Sequence, residues 1–176
     1  EINSNDATRD IGYTDMPEYT AGLNTGFSWK NFDFSMQWTG AWNVDRMLDE
    51  FRRPLGDTNE KGLLLYQYDT TWRSSADTFT AKFPRTSSLH ASNNYAGSDL
   101  YLINASYLRL KSVEIGYNFN FPFMKKLKMD NCRLYVNGYN LITITGFKWG
   151  DPESRQSSRP NYPLTRVFNI GLKLGF

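Results

Sequence analysis

Side chains that could carry out catalysis are scarce in this sequence. The only histidine, His90, lies in a stretch rich in serine and asparagine, which excludes a histidine-based triad and a multi-histidine metal site. The only cysteine, Cys132, has no second thiol as a partner, so an intramolecular disulfide and a cysteine-only metal site are excluded as well. Glycine-rich phosphate loops and nucleophile elbows are also absent from the sequence. We therefore expect no catalytic residue, no cofactor and no bound metal.

Two pairs of carboxylates are the remaining candidates for chemistry. Asp49 and Glu50 are adjacent, and Asp151 and Glu153 flank a proline. Paired carboxylates can hydrolyse a glycosidic bond, but no surrounding apolar pattern indicates a buried carboxyl group, and Pro152 favours a turn. Salt bridges within loops are the favoured interpretation of both pairs. Contact with a ligand or a cation is the second interpretation, and a glycoside-active enzyme is the third.

Aromatic residues outside the predicted strands are the best candidates for ligand contact. Aromatic residues make up 16% of the chain, and flat rings beside polar side chains are typical of sites that bind sugars. Packing within the loops is the alternative for each ring, so the prediction concerns the set. The predicted contacts with a substrate or a lid are Trp72, Tyr95, Tyr101, Trp149, Asp151 and Glu153. The wider aromatic set also includes Tyr66, Tyr68, Phe147 and Tyr162.

The composition excludes a helical membrane protein but allows a β-barrel. The mean hydropathy is −0.57, and the longest clearly apolar run, around residues 63–66, is far shorter than the roughly 18 residues that a membrane helix needs. In a barrel only every second strand residue faces lipid, and the loops are polar. The net charge of +2 is spread along the chain without a basic block, so no nucleic-acid partner is expected.

Five segments alternate between apolar and polar residues with a period of two, which predicts strands with two different faces. In the last segment, for example, Phe168, Ile170 and Leu172 alternate with Asn169 and Gly171. Only for the fourth segment does the sequence not show which of the two faces is apolar. Each segment has about the length of a tilted membrane strand, roughly 9–11 residues. The predicted strands are 19–29, 32–42, 107–119, 133–143 and 166–176.

The connections between these strands alternate between short and long. Residues 30–31 form a two-residue hairpin turn and 120–132 a second short link, whereas 43–106 and 145–165 are long. This alternation is typical of a transmembrane barrel, with short periplasmic turns and long extracellular loops, and it predicts a periplasmic carboxy terminus. Short helices are expected within the first long loop, at 44–51 and 60–68.

The end of the chain carries the strongest local signal. An amphipathic strand that ends on phenylalanine is what an outer-membrane assembly machine recognises when it inserts a barrel. The alternative is the ordinary last strand of a secreted, soluble β-sandwich that binds glycans. The predicted assembly signal consists of Phe168, Ile170, Leu172, Leu174 and Phe176.

Several segments together resemble one protein family. Residues 105–117 (ASYLRLKSVEIGY) resemble the SYLRLKN-x-x-LGY strand of SusC/RagA-type TonB-linked outer-membrane transporters, and residues 133–141 (RLYVNGYNL) resemble the family's LRVYVSGQNL strand. The DPE of residues 151–153 matches a DPE in the family's following loop, and 16–20 (MPEYT) with 30–34 (KNFDF) are similar to its NP-x-PKY-x-x-G and YKNFDLS segments. The sequence departs from the family at Tyr139, where the family has glutamine, and at residues 15–17, where it has Asn-Pro.

The resemblance implies an all-β fold in which residues 1–176 are the carboxy-terminal part of an antiparallel transmembrane barrel, the last five strands of a plugged, 22-stranded transporter. Five strands cannot close a barrel, so a longer protein is expected. The implied function is import of oligosaccharides or oligopeptides across the outer membrane of a Gram-negative bacterium. The implied partners are a SusD-like lipoprotein lid, outer-membrane lipid, and the TonB complex acting through a region outside this sequence. Residues expected to face the lumen or plug are Asn24, Gln37, Glu114 and Lys173.

Overall fold

The computed structural model describes residues 12–48, 62–86, 97–122, 128–154 and 164–176. The chain divides into two compact units. The sheet unit comprises residues 18–42, 106–146 and 162–176, and the loop unit comprises residues 1–17, 43–105 and 147–161. In the described residues no helix has the length and hydropathy needed to cross a membrane.

The sheet unit is a five-stranded antiparallel sheet, which confirms the predicted fold class. Its strands follow one another in chain order, as in a meander. They are β1 (Tyr19–Trp29), β2 (Phe32–Trp42), β5 (Tyr107–Phe119), β6 (Asn131–Thr145) and β7 (Val167–Gly175). The predicted fourth strand, 133–143, extends by two residues at each end, because Cys132 pairs with Phe119 and Leu174, and Thr145 pairs with Tyr107.

The register places apolar and polar residues on opposite faces of the sheet. One row across the five strands is apolar: Phe27, Phe34, Ile115, Val136 and Ile170. The neighbouring row, on the other face, is small or polar: Gly26, Ser35, Glu114, Asn137 and Asn169. Because directly paired residues share a face, the sheet assigns Leu134 and Val136 of β6 to the apolar side, which the sequence pattern left open.

Irregularities in β5 and β6 keep the two faces in phase. Gln37 pairs with Ser112 and Trp38 with Leu110, so Lys111 of β5 has no partner position on β2. On β6, Ser112 pairs with Tyr139 and Leu110 with Ile142, which leaves two residues opposite one. A bulge of this kind absorbs extra residues without reversing the faces. The first of the two extra residues, Asn140, has a φ of 54°, and asparagine tolerates this left-handed conformation better than most residues.

The loop unit contains short elements around a small apolar core. They are β3 (Asp45–Met47), α1 (Leu65–Thr70), β4 (Leu102–Asn104) and two 3₁₀ turns, Ser75–Asp77 and Asp99–Tyr101. β3 and β4 pair in antiparallel fashion. The buried core side chains are Val44, Leu48, Phe83, Tyr101, Ala105 and Phe147.

One of the two predicted loop helices is wrong, and the other is displaced. Residues 45–47, within the helix predicted at 44–51, form a strand because they pair with residues 102–104, while Val44 and Leu48 on either side enter the core. Tertiary pairing thus overrides local helix propensity. The helix predicted at 60–68 starts later, at Leu65, and ends at Thr70. Its amino end is organised by Gln67, whose buried side chain accepts a hydrogen bond from the Leu64 N–H at 3.1 Å.

Candidate functional site

Two of the predicted ligand contacts pack inside the loop unit. Tyr101 has only 1% of its surface exposed and lies against Phe83, with ring centroids 6.4 Å apart. Trp149 packs on the same core and contacts Tyr66 and Phe83 edge-on, at centroid distances of 5.3 and 6.0 Å. Phe147, from the wider aromatic set, is also buried. These rings hold the loop segments together, and in this conformation Tyr101 offers a ligand almost no surface.

The carboxylates at residues 151–153 form a turn. Asp151 accepts the Glu153 N–H on its side-chain oxygen at 2.9 Å, and its carbonyl accepts the Ser154 N–H at 3.1 Å. Pro152 between them is buried, and Glu153 is exposed. Residues 151–154 therefore form the turn that Pro152 led us to expect from the sequence. The described residues contain no group of three or more side chains suited to holding a metal ion. Tyr95, Tyr162, His90 and the Asp49–Glu50 pair lie outside the described residues.

Trp72, the remaining predicted contact, lines a pocket within the loop unit. The pocket has a volume of about 390 Å³. Its walls are Leu63, Tyr68, Thr71, Trp72, Arg73, Arg85 and Thr86. Two chain segments form it, and backbone hydrogen bonds bring them together: the Trp72 N–H donates to the Phe83 carbonyl at 2.9 Å and the Lys82 N–H to the Thr70 carbonyl at 2.8 Å. No motif or periodic spacing in the sequence links Arg73 to Arg85, so neither arginine was predicted.

Arg73 is held in place on the pocket wall. Its guanidinium carbon lies 4.1 Å from the centroid of the Tyr68 ring, in a cation–π contact, and the same side chain donates a hydrogen bond to the Tyr68 carbonyl. The segment that follows is fixed by Asp77, whose carboxylate accepts the N–H groups of Arg73 and Ser74 at 3.1 and 2.9 Å. The hydrogen bonds from the Ser74 and Arg73 backbone keep the pKa of Asp77 below its usual value of 3.8.

The depressed pKa of Asp77 predicts an acid-sensitive turn beside the pocket. A carboxyl group whose pKa is lower in the folded state stabilises that state fully above the unfolded-state value, 3.8, and this stabilisation is lost as the pH falls through the lower folded value. In hydrogen-exchange mass spectrometry at pH 7, Asp77→Ala should speed exchange of the Arg73 and Ser74 amides relative to the unmodified protein. After correction for intrinsic exchange, the difference should vanish well below pH 3.8. A difference that persists there would contradict the role of the carboxylate.

The apolar face of the sheet unit is exposed, and so are all five residues of the predicted assembly signal. The exposed fractions in β7 and at the chain end are 71% for Phe168, 74% for Ile170, 59% for Leu172, 43% for Leu174 and 80% for Phe176. On β1, Leu23, Phe27 and Trp29 are each more than half exposed. An uncovered apolar surface of this extent marks an interface with lipid or with another protein.

The polar face carries a network of charged and amide side chains over four strands. Arg133 on β6 donates to Asp33 on β2, with its Nε 3.0 Å from Oδ2, and a terminal nitrogen also pairs with Asp33. That nitrogen lies 2.7 Å from Glu114 Oε1 on β5. Amides complete the network: Asn118 donates to Asp33, Asn137 to Glu114, and Asn169 of β7 to Asn137. Asn24 and Gln37, two of the residues predicted to face the lumen, pair with each other on this polar face.

The curated proteins that this chain resembles in sequence are named TonB-dependent receptors. The chain is 29% identical over 187 residues to TonB-dependent receptor P3 of Formosa agariphila, which covers 97% of this chain and 17% of the relative. It is 28% identical over 157 residues to TonB-dependent receptor SusC of Bacteroides thetaiotaomicron, covering 88% of this chain and 15% of the relative. The chain thus spans about a sixth of the length of these relatives. No family model matches the sequence.

Solved structures show the same fold. The RagAB peptide importer in its open-open state aligns with a TM-score of 0.74 and 22% identity, over 99% of this chain and 19% of the importer chain. A structure titled as the RagAB peptide transporter aligns with a TM-score of 0.71 and 20% identity, over 94% of this chain. Together with the two-faced meander and the strand motifs, these likenesses show that the chain is similar in sequence to a segment of SusC-type TonB-dependent receptors and has the fold of part of the RagA-type β-barrel.

Proposed function

We propose that the chain forms barrel wall and loops of a TonB-dependent importer of oligosaccharides or oligopeptides that works with a SusD-like lipoprotein lid. The observation that carries the proposal is the two-faced sheet, apolar and uncovered on one side and polar and hydrogen-bonded on the other. A wall between lipid and a water-filled or plugged lumen requires this division. The likeness to RagAB, which is described as a peptide importer, supports import as the activity, and the curated relatives are TonB-dependent receptors.

In such an importer, each face of the sheet and each connection between strands has its own environment. The apolar face lies against lipid, and the polar face points into the barrel. The two-residue turn after β1 and the link between β5 and β6 lie in the periplasm, with the carboxy terminus. The long segments 43–106 and 145–165 lie outside the cell, where they meet the lid and the substrate. The loop pocket beside Trp72 supports this assignment, because ligand sites occupy concave surfaces lined by rings and a few polar groups.

Uptake by living cells tests import directly. Cells that carry the native protein should accumulate fluorescent oligosaccharides or oligopeptides. Accumulation should stop when a protonophore removes the proton gradient and when the gene is deleted, and it should return on complementation. Purification from membranes by an affinity tag should also recover a lipoprotein lid. Uptake that continues unchanged in the deletion strain would contradict the proposal.

Cell fractionation separates this proposal from the soluble glycan-binding sandwich. A sandwich would have to cover Phe168, Ile170 and Leu172 with a second sheet, and in the described residues these side chains remain largely exposed. We expect the native protein in the outer-membrane fraction, extracted only by detergent. Recovery in the soluble fraction without detergent would favour the sandwich.

A further inference from the structure

The loop pocket combines two cationic groups with two aromatic rings. Arg73 and Arg85 supply the guanidinium groups, and Tyr68 and Trp72 supply the rings. Among the described residues that line the pocket, the charged ones are these two arginines. The volume of about 390 Å³ falls within the range of small-molecule sites, roughly 300–1,000 Å³. A ligand that matches this wall needs both an anionic group and a flat surface.

The arginines suit an oxyanion in particular. A guanidinium group presents its N–H donors in a planar fork that matches the paired oxygens of a carboxylate or sulfate. Arg73 is already oriented by its stacking on Tyr68 and by its hydrogen bond to the Tyr68 carbonyl. Less side-chain entropy is therefore lost when it binds an anion.

The rings favour a sugar over an acidic peptide as the carrier of that anion. Trp72 is half-buried, with its neighbour Thr71 buried and hydrogen-bonded to the Gln67 carbonyl at 2.6 Å, so this wall is fixed. A sugar ring can lie flat on an aromatic face while its acidic substituent reaches the arginines. An acidic peptide side chain would use the arginines but leave the ring surface unfilled.

We propose that this pocket binds an acidic sugar unit, one that bears a carboxylate or a sulfate, within an oligosaccharide. The inference rests on the proposed import function, because it takes the ligand to be the substrate that the loops capture. It narrows the expected substrates of the importer from oligosaccharides or oligopeptides to anionic oligosaccharides. Arg85 and Arg73 bind the anion, and Trp72 supports the sugar ring.

Isothermal titration calorimetry on the detergent-solubilised native receptor tests the proposal. The probes are trigalacturonate, sulfated galactotriose, neutral galactotriose and triglutamate. We expect at least one acidic sugar to bind about tenfold or more tightly than galactotriose, in keeping with hydrogen bonds between charged groups. Its affinity should also fall as salt is raised. A preference for trigalacturonate would identify a carboxylate ligand, and a preference for sulfated galactotriose a sulfate ligand.

Matched variants locate the binding. Arg85→Gln should weaken acidic-sugar binding by about tenfold or more and leave galactotriose binding unchanged, while Arg85→Lys should restore part of the loss. Lys82→Gln removes a charge from the same segment, but Lys82 lies over the Tyr66 ring, 5.5 Å from its centroid, and does not line the pocket. This variant should bind like the unmodified protein. Circular dichroism confirms that each variant is folded.

The possible failures are distinguishable. Equal affinity for acidic and neutral sugars, no binding of any sugar, or triglutamate binding with the same dependence on Arg85 would each overturn the pocket assignment. Uptake of neutral sugars or peptides in parallel cell assays would then leave the import function standing. Conversely, the protein could bind acidic sugars in a way that depends on Arg85, while deletion of its gene changes no uptake. This result would support the pocket assignment and contradict the import function.

Discussion

Replacing Leu172 by arginine is expected to destabilise the native protein in a lipid bilayer by about 2–4 kcal/mol, the cost of an arginine on the lipid face near mid-bilayer. Leu172 lies near the middle of β7, on the apolar face, where it pairs with Leu134 and is 59% exposed. Urea titration of the receptor refolded into phospholipid vesicles, followed by its heat-modifiable mobility in gels, measures the loss.

A matched variant on the same strand shows whether the face or the charge matters. Asn169 points to the other side of β7 and donates to Asn137 at 2.9 Å. Asn169→Arg introduces the same charge, gives up only this exposed hydrogen bond, and should cost about 1 kcal/mol or less. The lipid-facing assignment fails if the Leu172 variant is as stable as the unmodified protein, or if the two variants lose equal stability.

The sheet could be predicted from the sequence because its physical basis is local. Period-two alternation reflects a sheet with one apolar and one polar face, and each strand shows it on its own residues. Phe168, Ile170 and Leu172 are a clear example. The chain-order meander follows from the tight turn at residues 30–31 and the order of the segments. Strand ends were less predictable, since Cys132 and Thr145 join β6 through partners on other strands.

The loop unit could not be predicted to the same degree, because its contacts are distant in sequence. β3 exists because residues 102–104 pair with it, a separation that leaves no periodic signal. Tyr101 and Trp72 looked alike in sequence, yet one enters the core and the other lines a pocket. The decisive fact for the pocket is the backbone pairing of residues 70–72 with 82–83, which brings Arg73 near Arg85. Composition alone does not encode this proximity.

Arg133→Met is expected to destabilise the barrel wall by about 1–3 kcal/mol. Arg133 is the cation between Asp33 and Glu114, on three neighbouring strands. Without it the two carboxylates lose the cation that is hydrogen-bonded to both of them. Breaking a fully buried pair costs about 3–5 kcal/mol, but these side chains keep 22–34% of their surface exposed, so solvent reduces the loss. Urea titration in vesicles measures it.

The triple variant Arg133→Met with Asp33→Asn and Glu114→Gln separates charge from packing. The neutral amides retain carbonyl oxygens that can accept from Asn118 and Asn137, as the carboxylates do at 3.3 Å in both cases. If unpaired charge causes the instability of the single variant, the triple variant should regain most of the lost stability. If it stays as unstable as the single variant, the loss comes instead from contacts of the guanidinium group, which lies over Gly116 and 5.2 Å from the Tyr135 ring centroid. The network would then stabilise the sheet through the packing of the Arg133 side chain, and Gly116 would be needed because a Cβ there would overlap the guanidinium group.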